Sequence, residues 1–115
     1  MKYTGSCHCK QVRFEVDAEI EKAMACNCSI CAKRGSLLVF VPEEKFSLIS
    51  GEDVLTDYQF GKRVIHHYFC SLCGILSFGA GSDAEGKKMR AINVRCLDDI
   101  DLDQISIHHF DGKSL

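Results

Sequence analysis

Apolar and polar residues alternate along this chain in short runs. The segment Gln11-Val12-Arg13-Phe14-Glu15-Val16 alternates for six residues, the period-two signature of a half-buried strand. Comparable runs occur at Leu37 to Val41, Lys45 to Ile49, Val54 to Phe60, Lys62 to Phe69, Ile75 to Phe78, Met89 to Val94 and Ile105 to Phe110. Turn signals separate them: Gly51-Glu52-Asp53, Phe60-Gly61-Lys62 and the polar stretch Gly79 to Lys87. No window of helical length carries a 3.6-residue period, and only single helical turns are predicted, near Ser29 to Lys33 and Leu97 to Ile100. The pattern predicts a mainly β chain with no internal repeat and no linker.

At 115 residues the chain suits one domain over residues 1–115, burying roughly two thirds of its unfolded surface. Its 46% hydrophobic and 26% charged content is ordinary for a globular protein. The N-terminus has no apolar run after its lysine, so no signal peptide is expected. Leu37 to Val41 is far shorter than the roughly 20 residues of a membrane helix. A cytoplasmic location is expected, where eight cysteines remain thiols rather than pairing as disulfides.

The cysteines fall into groups: Cys7-His8-Cys9, Cys26-Asn27-Cys28-Ser29-Ile30-Cys31, Cys70-Ser71-Leu72-Cys73-Gly74, and Cys96. A C-x-C on extended backbone puts both sulfurs on one face, with His8 on the other. In C-x-x-C-G the chain turns so that two thiolates converge, and Gly74 supplies the positive φ such a turn needs. One C-x-C plus one C-x-x-C provides the four ligands that zinc takes in a tetrahedron, at about 2.3 Å to sulfur. Cys26, Cys28 and Cys31 would leave a second ion with an open fourth position, the pattern of a catalytic site. Spacing alone also permits Cys26 or Cys28 to enter the closed site. Cys96 either fills the open position or is a buried apolar cysteine at a strand end, the reading its surroundings favour. Oxidation of the three-cysteine group as a redox cluster is the remaining alternative, disfavoured because no neighbouring helix of thioredoxin type is predicted.

Formal charge is −2, and seven thiolates on two zinc ions bring it to about −5. No nucleic acid or membrane partner is expected of such a body.

Read together, Gly5-Ser6-Cys7-His8-Cys9, Cys26-Asn27-Cys28-Ser29-Ile30-Cys31 and His67-Tyr68-Phe69-Cys70-Ser71-Leu72-Cys73-Gly74 resemble the glutathione-dependent formaldehyde-activating enzyme family, which includes the centromere protein V relatives. Tyr58-Gln59-Phe60-Gly61, Asn93-Val94-Arg95-Cys96-Leu97-Asp98 and Phe110-Asp111-Gly112 extend the resemblance over nearly the whole chain. It implies an Mss4-like fold of several coiled antiparallel sheets joined by a structural zinc site. It also implies two Zn²⁺ per chain, one structural on Cys7, Cys9, Cys70 and Cys73, and one catalytic on Cys26, Cys28 and Cys31. Lys10 departs from the pattern, standing where many members have glycine after the C-x-C.

The implied activity is that of a carbon–sulfur lyase or the reverse addition. It would act on S-adducts of glutathione or a similar thiol with a small aldehyde such as formaldehyde. Lys33, Arg34, His67 and Arg95 are the candidate substrate-binding residues: three cations for carboxylates and a histidine for proton transfer. The alternative from another class is a non-catalytic, zinc-stabilised interaction module.

Overall fold

The computed structural model describes residues 1–114 as two β-sheets. Strand β1 (Lys2–Ser6) pairs with β2 (Arg13–Asp17), which pairs with β5 (Phe46–Ser50), forming a three-stranded sheet. The second sheet has seven strands in the order β10 (Ser106–Phe110), β3 (Lys22–Cys26), β4 (Leu38–Pro42), β9 (Lys88–Asn93), β8 (Leu76–Ser82), β7 (His66–Cys70), β6 (Leu55–Tyr58). The one α-helix among the described residues, α1 (Cys31–Arg34), ends at Gly35, whose φ of 68° and N–H bond to the Cys31 carbonyl form a left-handed cap.

The mainly β, Mss4-like architecture agrees with the sequence reading, with several local differences. All strand pairings are antiparallel except β10 with β3, which is parallel and sets Phe110 opposite Cys26. Strands β1 and β3 were not predicted. The polar stretch Gly79 to Lys87 is not all loop: β8 continues to Ser82, because Gly79 and Ala80 lie buried between β7 and β9. The helical turn expected at Leu97 to Ile100 lies instead at Val94–Cys96, where the Asn93 side chain caps the Arg95 N–H. Cys96 is thus in a turn and not at a strand end.

The core forms where the sheets face each other. In β2 the alternation turns Phe14 and Val16 inward. Phe46 of β5 packs on Phe14 at 5.7 Å between ring centroids and on Phe78 of β8 at 4.6 Å, and Phe78 meets Tyr68 at 5.1 Å. This aromatic run crosses between the sheets, and Ile92 and Val94, both fully buried, extend it. Burying a side chain of this size stabilises by roughly 1.5–3 kcal/mol. A separate small cluster of Cys7, Val12 and Cys70 packs against Leu48, Val54 and Leu55. That second cluster is built around sulfur.

Candidate metal centres and the cleft beside them

The first cysteine group is assembled from distant parts of the chain. Cys7 follows β1, and Cys70 ends β7. The C-x-C is not extended: residues 8 and 9 form a turn, closed by the Lys10 N–H donating to the Cys7 carbonyl at 3.2 Å, with Lys10 at φ 67°. The turn, rather than strand periodicity, therefore brings the two sulfurs together. The departure at Lys10 also acquires a physical meaning, because this position has the left-handed backbone that glycine adopts without strain. On the other arm Gly74 has φ 80° and donates to the Cys70 carbonyl at 2.7 Å, closing the C-x-x-C-G knuckle as expected.

The Sγ atoms of Cys7, Cys9, Cys70 and Cys73 all lie within 4.8 Å of one another, with Cys7–Cys9 and Cys9–Cys70 each at 3.6 Å. A tetrahedral site with bonds of about 2.3 Å has sulfur–sulfur edges of about 3.8 Å, so the donor set fits zinc. The Val12 N–H points at the Cys7 sulfur from 3.4 Å. Ionisation is uneven. Desolvation opposes it at Cys73, but the Cys9 and Ile75 N–H groups and the Cys70 and Cys7 thiols outweigh that and bring Cys73 down to about 6. At Cys9 the Gln11 N–H favours thiolate, yet desolvation and proton sharing with Cys7, Cys70 and Cys73 push it up to about 12. Four converging sulfurs cannot all ionise without a cation among them.

The second group is local. Cys26 ends β3, Cys31 opens α1, and the Ala32 N–H donates to the Cys28 carbonyl at 2.9 Å. The Sγ atoms of Cys26, Cys28 and Cys31 also lie within 4.8 Å of one another, and the Cys28 N–H approaches the Cys26 sulfur at 3.4 Å. Desolvation resists ionisation of Cys28, but the Cys31 N–H and the Cys31 and Cys26 thiols lower it overall. Cys31 itself is raised to about 12, first by burial and then by Cys28. Three soft donors on one side of an ion suit zinc with a position left over.

This group is braced by the end of the chain. The Asn27 side chain donates to Asp111 Oδ1 at 2.9 Å and accepts from the Lys113 N–H at 2.9 Å, while the Asn27 N–H donates to the Phe110 carbonyl. Bonds from the Ser114 hydroxyl and the Asn27 amide hold the Asp111 carboxyl below its ordinary range. Gly112 leaves space for sulfur: a Cβ there would lie 2.7 Å from Cys26 Sγ. Asn27 and the Phe110-Asp111-Gly112 motif thus position the three cysteines, a role their sequence did not disclose.

Beside the three sulfurs opens a cleft of about 360 Å³, lined by Cys26, Cys28, Cys31, Arg34 and His67 among others. Arg34 borders it at the end of α1, and its Nη1 is shielded from solvent and without a hydrogen-bond partner among the described residues. His67 stacks on Phe60 at 5.6 Å; burial, aided by the charge of Arg34, holds its imidazole below its ordinary 6.5. The other two candidates are elsewhere. Lys33 is exposed on an outer groove with Tyr58 and Phe60, and Arg95 lines a separate hollow with Cys7 and His8. Arg95 does not follow a strand alternation, because it belongs to the Val94–Cys96 turn. Cys96 lies outside both groups, its Sγ 3.5 Å from the Leu76 carbonyl, and burial raises its thiol to about 11.

Residues 2–111 match the family described as glutathione-dependent formaldehyde-activating enzyme. The chain belongs to that family. A solved structure is consistent with this: the crystal structure of a Rhodobacter sphaeroides protein is 28% identical and superposes with a TM-score of 0.79, covering 91% of this chain and 99% of that one. Membership ties the chain to glutathione-dependent formaldehyde activation in general terms. The described residues include no helix long and apolar enough to cross a membrane.

Proposed function

We propose that this protein is a zinc-dependent carbon–sulfur lyase, or the reverse synthase, acting on S-adducts of glutathione or a similar thiol with a small aldehyde. The observation that carries the reading is the contrast between two sulfur groups in one chain: four sulfurs closed on themselves, and three facing a cleft. Cys7, Cys9, Cys70 and Cys73 hold a structural Zn²⁺, and Cys26, Cys28 and Cys31 hold a second. When bound, that second ion supplies Lewis acidity, a lowered thiol pKa and one position for an exogenous thiol.

The reaction is an addition across a carbonyl. The thiol sulfur bonds to the aldehyde carbon, and the thiol proton ends on the carbonyl oxygen; in cleavage the carbon–sulfur bond breaks and the hydroxyl proton returns to sulfur. His67 carries that proton at its free imidazole nitrogen, for which a neutral ring at pH 7 is required. The depressed imidazole supports this assignment. Arg34, in the cleft lining, meets a carboxylate or carbonyl oxygen of the substrate with its guanidinium. Lys33 and Arg95 lie outside the cleft and contribute long-range attraction for an anionic thiol.

The test is the exchange rate between free formaldehyde and S-(hydroxymethyl)glutathione, followed by NMR with the zinc-loaded chain. Saturable acceleration, lost in Cys28→Ala with the circular dichroism spectrum unchanged, supports the lyase. A folded chain that leaves the spontaneous rate untouched at every concentration contradicts it and favours the interaction module.

A further inference from the structure

The cleft is built for something larger and less polar than formaldehyde. Its walls include Leu38, Phe40, Phe60, Val64 and Ile65, and four of these project into solvent: Phe40 is 49% exposed, Phe60 42%, Val64 67% and Ile65 53%. Apolar side chains this open are under-buried in the free protein, and several lie on one rim beside the three sulfurs. The carboxylates of glutathione suit the cationic part of the lining, Arg34 and Lys62, whereas the open apolar side chains offer them nothing. Arg34 and Lys62 interrupt the apolar lining. Cations beside an apolar wall suit an anionic thiol that carries an apolar group.

We infer that the lyase's substrates extend beyond formaldehyde to amphipathic thiol adducts whose aldehyde-derived part is an apolar group, aromatic or branched, that packs against Phe40, Phe60, Val64 and Ile65. The thiol part is anionic and presents an oxygen to Arg34. This rests on the lyase reading of the same cleft and deepens it by naming the substrate class. The bond changes are those already given, with carbon–sulfur cleavage returning a thiol and an apolar aldehyde.

Binding of stable thioether probes separates the two ideas. S-benzylglutathione and S-methylglutathione share the anionic thiol part and differ only in the apolar group, and neither releases an aldehyde. With the zinc-loaded chain, calorimetric titration is expected to show S-benzylglutathione binding at least tenfold tighter. In Val64→Ser or Ile65→Ser, both exposed positions, that preference should fall severalfold while S-methylglutathione is unaffected. Equal affinity for the two probes, or a preference for the methyl probe, overturns the apolar-substrate inference and leaves the lyase reading standing. Binding of neither probe to a chain holding two zincs overturns the inference, and the formaldehyde exchange rate then decides the lyase reading by itself. A benzyl preference that survives both substitutions also overturns the inference, because the apolar group is then held elsewhere.

Discussion

Gly112 sits against Cys26: a Cβ at residue 112 would lie 2.7 Å from the cysteine sulfur and 3.3 Å from Cys28 Cβ. The parallel pairing of β10 with β3, which aligns Phe110 with Cys26, brings them together. Gly112→Ala is therefore expected to displace the sulfur or push the chain end away. Changes of this kind next to metal ligands typically lower affinity by about 10–100-fold. Competition with a chelator should show that loss for one zinc per chain, with the ion of the four-cysteine group retained.

Lys10 provides a gain-of-stability test. Its φ of 67° places a side chain in left-handed backbone, and glycine there removes a strain of roughly 1–2 kcal/mol while adding freedom to the unfolded chain. Lys10→Gly should stabilise by about 1 kcal/mol, raising the melting temperature by a few degrees at equal zinc content. Unchanged or lower stability would mean that the turn accommodates lysine without strain.

The sequence disclosed much of this arrangement, unevenly. Period-two alternation marks strands that bury one face, so β2, with Phe14 and Val16 turned in, is legible. Strand β1 contains Gly5 and lacks alternation, and β3 is built on Ala23 and Ala25, whose small side chains give a weak signal. Cysteine spacing marks ligand groups because it is local, but cannot reveal that the C-x-C lies in a turn. Least visible were the long-range contacts. Asn27 and Asp111 are 84 residues apart, and the apolar rim combines β4 with the loop before β7, so neither has a local pattern to betray it.

Protonation of His67 should shape the acid limb of the rate profile. Burial and Arg34 hold the folded imidazole below 6.5, so the unfolded chain binds more protons between the two values. Stability, and the neutral ring that catalysis uses, should therefore both decline as pH falls through that window. The acid limb should lie below 6.5, and His67→Gln should flatten it while lowering kcat by roughly 100-fold. An unchanged profile in His67→Gln would assign the limb to another group.

The two cysteine groups should respond differently to loss of a ligand. Cys70 is fully buried in the small sulfur-centred core. Structural zinc sites contribute roughly 10–16 kcal/mol of apparent binding energy at neutral pH, comparable to the whole stability of a small domain. Cys70→Ala should therefore unfold the chain, as judged by loss of dispersed amide resonances. Cys28→Ala should leave the resonances dispersed while removing the second zinc and turnover.

The most direct test is native mass spectrometry of the freshly reduced, zinc-loaded chain with and without glutathione. The account predicts two zincs per chain and a glutathione adduct, with Cys28→Ala keeping one zinc and losing the adduct. One zinc in the unaltered chain, with no bound thiol at any glutathione concentration, would contradict it.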